Sequence, residues 1–75
     1  MNVFLVLVVL AIPARPGFSD VQQVVHRELI TSSGPVACQQ HANKRAEEQS
    51  EKRAADLQRF KARIYGICIQ QKDPV

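Results

Sequence analysis

The 75-residue chain has no tryptophan, one tyrosine, three phenylalanines and only three glycines. Large apolar side chains supply most burial energy, so a chain this short has a marginal core unless a staple or a partner supplements it. One domain at most fits this length, and a large catalytic cleft does not. The sparse glycines make no phosphate-cradling loop, and no catalytic constellation is present. We therefore assign no catalytic residue and no cofactor, and the chain is not expected to be an enzyme. Charge of one sign is not concentrated either: ten Lys and Arg stand against seven Asp and Glu, for a net charge of +3. A dedicated nucleic-acid binder clusters far more positive charge, so no nucleic acid is expected as a partner.

Long apolar runs are also missing. The longest, Val3 to Ile12, has ten residues, where a membrane-spanning helix needs about 20. Its length fits the apolar region of an export leader. Pro13, Arg15, Pro16 and Gly17 stop it. Gly17 and Ser19 are the small residues that signal peptidase accepts, which places a cut between Ser19 and Asp20, with a cut after Ala14 as the alternative. The expected organisation is a signal peptide over residues 1–19 and a small helical domain over residues 20–75, secreted to the extracellular space. No Lys or Arg precedes the apolar run, which keeps open a second organisation in which residues 1–19 stay as a membrane anchor.

Residues after the leader show three- and four-residue spacing of apolar side chains. Val21, Val24, Val25 and Leu29 then share one face of a helix over about 20–31. Thr31-Ser32-Ser33-Gly34-Pro35 forms a turn: Pro is favoured at the first helical position, and Ser33 or Gly34 can cap the second helix. From Val36 to Arg63 neither glycine nor proline intervenes, and Ala, Glu, Gln, Lys and Arg predict a helix over about 36–65 or longer. Its apolar face carries Cys38, Ala42 and Ala46, then Leu57, Phe60 and Ile64, with Phe60 and Ile64 packed against the first helix. Ile64-Tyr65-Gly66-Ile67-Cys68-Ile69 continues the helix, kinks it or forms an extended arm, and Lys72 to Val75 is a frayed polar tail. The fold class expected is all-α, a helical hairpin.

Cys38 and Cys68 are the only cysteines, and an even pair in an exported chain reads as a disulfide. On one straight helix they would lie about 45 Å apart, whereas a disulfide needs Cα atoms roughly 4.4–6.8 Å apart. Three outcomes stay open: a bond within the chain closing a bent hairpin, a disulfide-linked antiparallel homodimer, or free thiols. His26 and His41 join the cysteines as zinc-type ligands, but the spacing matches no zinc site and no metal is assigned.

Arg59, Lys61, Arg63 and Tyr65 form the one basic and aromatic concentration, and are the candidate partner-binding residues for a protein receptor, a channel or an anionic membrane surface. Lys44-Arg45 and Lys52-Arg53 are paired basic sites at which precursors are trimmed, or simply part of a solvated helix face. The leader ending Pro16-Gly17-Phe18-Ser19, followed by a short helical chain with cysteines, resembles precursors of small secreted peptides such as arthropod venom peptides and peptide hormones. That resemblance implies a toxin- or hormone-like polypeptide that binds an extracellular partner. The alternative from another class is a membrane-anchored structural subunit whose long helix packs into a larger complex.

Overall fold

The computed structural model describes residues 2–71; the tail expected from Lys72 onward lies outside them. The chain is not all-α. It runs β1 (Asn2–Ile12), β2 (Val21–Ser32), α1 (Pro35–Lys52), α2 (Ala54–Phe60) and β3 (Arg63–Gln70). The three strands form one antiparallel sheet in the order β2-β1-β3. The two helices connect the edge strands, which run parallel to each other with β1 between them.

β1 is the centre of the sheet. Its Val, Leu and Phe residues are apolar at successive positions, so both faces of the strand are apolar although α1 packs on only one of them. It pairs with β2 from Asn2↔Ser32 to Ile12↔Val21 and with β3 from Phe4↔Gln70 to Ala11↔Arg63. The segment with the length of a leader's apolar core therefore supplies the only ladder that β2 and β3 share. The Pro16-Gly17 step is correspondingly a β-turn: Phe18 N–H donates to Arg15 O at 3.0 Å, and Gly17 has φ 90°. Proline followed by a glycine at positive φ is the signature of a type II turn. Asp20 Oδ1 accepts from Ala14 N–H at 2.8 Å and closes the same connection.

The helix expected over residues 20–31 is strand β2. The spacing that resembles a helix has another cause. Val24 and Leu29 are five residues apart, which regular alternation would place on opposite faces. The register shifts between Val8↔His26 and Val9↔Val24, so Val25 is an extra residue in β2. A β-bulge of this kind resets the alternation by one position, and both Val24 and Leu29 end up on the same side of the sheet.

The expected long helix is also shorter and broken. α1 begins with Pro35 at its first turn and Gly34 as N-cap, then ends at Lys52. Arg53, with φ −114° and ψ 20°, separates it from α2, and Lys61 leaves α2 with φ 52°. That left-handed residue turns the chain back, and the β-branched stretch Ile64 to Ile69 returns as β3. Phe60, expected inside, is 49% exposed.

The core lies between the sheet and α1. Phe4 and Val6 of β1 pack with Cys38 and Ala42 of α1, and Ile30 and Cys68 close the sides. α1 approaches β3 very closely. A Cβ placed on Gly66 would sit 2.5 Å from Ala42 O and 2.9 Å from Ala42 Cβ. Glycine in the strand and alanine on the helix let the two backbones meet. Gln39 Nε2 donates to Gly66 O at 3.0 Å across the same contact. One turn before Ala42, Cys38 bonds to Cys68 with Cα atoms 6.2 Å apart. The disulfide thus lies within the chain, closed by a helix and a returning strand instead of a bend in one rod.

Candidate functional site

Strand register sorts the side chains of the sheet into two faces. Phe4, Val6 and Val8 point to α1, as do their partners Ile30, Glu28 and His26 on β2 and Cys68 and Gly66 on β3. The alternate residues form the outer face, which neither helix covers. Its middle row is Leu5 and Leu7, both half-buried, and Val9, buried among its neighbours, flanked by Leu29 and Val24 on β2 and by Ile69, Ile67 and Tyr65 on β3. Leu29 is 67% exposed, Val24 51% and Ile69 45%. Three strands about 4.8 Å apart and eight or so residues long give the whole face, Arg27 and Arg63 included, on the order of 400 Å², and the largest apolar patch on a protein's surface is often a functional one.

Two cations stand on this face, Arg27 opposite Leu7 and Arg63 opposite Ala11, and both are exposed. Their register neighbours on the outer face include no carboxylate. Apart from Asp20, which lines a depression with Lys61 and Arg63, the described acids lie elsewhere: Glu47, Glu48 and Glu51 are on α1 and Asp56 on α2. Glu28 points to the helix side, where its Oε1 meets His41 Nε2 at 2.7 Å and accepts from Arg45 Nε at 3.1 Å. His26 Nε2 stands 3.3 Å from the same oxygen without an aligned hydrogen bond. Burial pushes the Glu28 carboxyl up, but hydrogen bonding to His41, contact with His26 and Arg45, and the charge of His41 outweigh it and hold it below the ordinary carboxylate value. Arg45 also donates to Glu48 at 2.8 Å. That hydrogen bond is the chief reason why the Glu48 carboxyl is lowered and the Arg45 guanidinium raised.

This polar cluster links β2 to α1 and has no nucleophile within it. The two sulfurs that zinc would need are bonded to each other, while His26 and His41 flank Glu28. Among the described residues no group of three or more His, Cys, Asp and Glu is placed to hold a metal ion. No helix among them is long and apolar enough to cross a membrane. The intrachain disulfide is compatible with an extracellular or secreted protein.

Of the four residues singled out for partner binding, Arg59, Lys61 and Arg63 line two depressions that share Lys61, and Tyr65 lies further along β3. Arg63 and Tyr65 lie on the outer face of β3, Tyr65 half-buried. Arg59 and Lys61 lie at the end of α2, exposed, with the Arg59 guanidinium 5.4 Å from the Phe60 ring centre. Lys61 and Arg63 meet Asp20, Ala11 and Pro13 around one depression of about 260 Å³, while Arg15, Arg59, Lys61 and Phe60 line another of about 580 Å³. The basic residues thus ring the end of the sheet near the Pro16-Gly17 turn, where Phe18 is 75% exposed.

Of the residues that matter most here, helical spacing picks out Leu29 but places it on a helix face, while Leu5, Leu7 and Arg27 carry no helical signal at all. The alternation Arg63, Tyr65, Ile67, Ile69 is the signal that reveals the outer face of β3. Comparison with protein-family models, with curated proteins and with solved structures finds no match for this chain.

Proposed function

We propose that the chain is a small secreted protein that acts outside the cell by binding, without catalysis, in the manner of a toxin or hormone. The receptor, channel or membrane surface it binds makes contact with the outer face of the sheet. The observation that carries this reading is the uncovered apolar face centred on Leu5 and Leu7, in a chain that covers its other face with a disulfide-tied helix. Leaving such a patch wet costs solubility, so its retention implies a partner. Arg59 and Lys61 extend the basic rim of this surface, and Arg63 and Tyr65 belong to it directly.

The extracellular location is supported here by the disulfide and not by a cleaved leader, and the binding molecule is the one that keeps residues 2–12. Removing residues 1–19 takes away the middle row of the face and the ladder between β2 and β3. The test compares the protein from its secreting host with a Leu29→Asp, Ile67→Asp variant, both positions being exposed. The native protein is expected outside the cell, sequenced from before residue 20, and associated with larger or particulate material by native size analysis. The variant is expected to run as the free 8.4 kDa chain. A native protein that runs as the same free chain as the variant refutes the reading.

A further inference from the structure

The chemistry of the outer face goes further than contact in general. Resting on the reading of that face as a binding surface, we infer that its occupant is an anionic lipid surface, on which the sheet lies flat with α1 turned to water.

Charge complementarity points to this occupant. Arg27 and Arg63 stand among the apolar residues of the face, and Arg15, Arg59 and Lys61 gather at one end of the sheet. Asp20 is the one described acid among them, and its Oδ1 is engaged by Ala14 N–H. The remaining described acids are on the helices or point toward them. The sheet side is therefore apolar and cationic with no acid on its outer face, while the helix side carries its acids beside the bases Lys44, Arg45, Lys52 and Arg53, which balance them. Apolar side chains that enter the headgroup boundary, with arginines reaching lipid phosphates, are what an interfacial protein presents. The exposed rings of Phe18 and Phe60 and the half-buried Tyr65 supply the aromatic residues that favour the same boundary.

A second copy of the chain fits this face poorly. Stacking two such faces buries about 400 Å² per copy, about half of the ~800 Å² per partner of a stable interface. It also brings Arg27 and Arg63 of both copies into a dry layer with no carboxylate to pair them, and unpaired buried charge opposes association.

The experiment is vesicle co-sedimentation of the full, disulfide-bonded chain. Phosphatidylcholine vesicles are compared with vesicles containing 30% phosphatidylglycerol, and far-UV circular dichroism and the solution oligomeric state are recorded for every variant. Binding to the anionic vesicles is expected at least tenfold tighter than to phosphatidylcholine. Arg27→Gln with Arg63→Gln is expected to weaken it about 30-fold, from the contribution of each cation near an anionic surface. Leu29→Asp with Ile67→Asp is expected to abolish it with the circular dichroism spectrum unchanged. Equal binding to both vesicle types overturns the inference. A dimer that lacks vesicle affinity and is dissolved by Leu29→Asp with Ile67→Asp overturns the lipid assignment but keeps the face as a contact surface. A monomer with no vesicle affinity overturns the lipid assignment and leaves a protein receptor or channel as the occupant of the face.

Discussion

Gly66→Ala puts the packing of helix on sheet to its hardest test. The added methyl group would meet Ala42 O at 2.5 Å, Ala42 C at 2.8 Å and Ala42 Cβ at 2.9 Å. Two of these atoms are backbone, so no side-chain rotation relieves the clash. Reaching ordinary contact requires α1 and β3 to separate by about 1 Å. The separation is opposed nearby by the Cys38–Cys68 bond and by the 3.0 Å hydrogen bond from Gln39 to Gly66 O. It also loosens Cys38 and Ala42, both fully buried against Phe4 and Val6. Overpacking of this kind costs about 1–3 kcal/mol. Alanine recovers roughly 0.5–1 kcal/mol over glycine within a strand, which leaves a net loss centred at about 1.2 kcal/mol. For a domain of this size that lowers Tm by roughly 5–10 °C. The assay is thermal unfolding followed by far-UV circular dichroism with the disulfide intact. Gly34→Ala is the control: a Cβ there meets nothing within 4 Å, and its φ of 178° is open to any residue. Its Tm is expected to stay within a few degrees of wild type. A Gly66→Ala protein as stable as the control would refute the close approach of α1 to β3.

The disulfide, the central strand and Glu28 each give a further outcome to measure. Replacing Cys38 and Cys68 with alanine opens a loop of 30 residues and is expected to cost about 3–4 kcal/mol by loop entropy; an unchanged urea midpoint would mean the bond constrains nothing. A polypeptide of residues 20–75 lacks the strand that joins β2 to β3, and its circular dichroism spectrum is expected to lose the sheet signal; a spectrum with the full sheet content would contradict the ladder. Glu28 has a lowered folded-state pKa, so the unfolded chain takes up its proton first as pH falls. Its contribution is then present above the ordinary carboxylate pKa, about 4.5, and is lost as pH falls toward and through the lower folded value. Glu28→Gln is expected to cost about 1 kcal/mol at pH 7, less than a fully buried charged acceptor would, because the side chain keeps a quarter of its exposure. It is also expected to flatten the acid limb of the stability curve; an acid limb as steep as that of wild type would refute the role of Glu28.

Some of this architecture is written in local residue chemistry. Pro35 at the first turn of α1, the helix formers up to Lys52, and the small inward row Cys38, Ala42 and Ala46 follow from composition and 3.6-residue spacing. The turn at Pro16-Gly17 is marked by its residues, whether they are read as the end of a leader or as the tip of a hairpin. An even pair of cysteines in one chain points to a bond. Residues 2–12 are a different case. Ten consecutive apolar residues satisfy a leader and a central strand apolar on both faces equally, because both ask only for the absence of polar groups. No local feature separates them.

Only the tertiary structure decides the rest. β2 takes its conformation from pairing with β1, and the bulge at Val25 disguises its alternation as helical spacing. The end of α1 at Arg53 and the left-handed Lys61 occur without glycine or proline, since the return of β3 to the edge of β1 outweighs the helix propensity of residues 53–62. That return, not a bend inside one helix, brings Cys68 to Cys38. Propensity is worth tenths of a kcal/mol per residue, whereas a shared ladder and a buried core contribute several together. Long-range pairing therefore overrides local preference, and it also sets Leu5, Leu29 and Ile67 side by side on a face that the linear order of residues does not reveal.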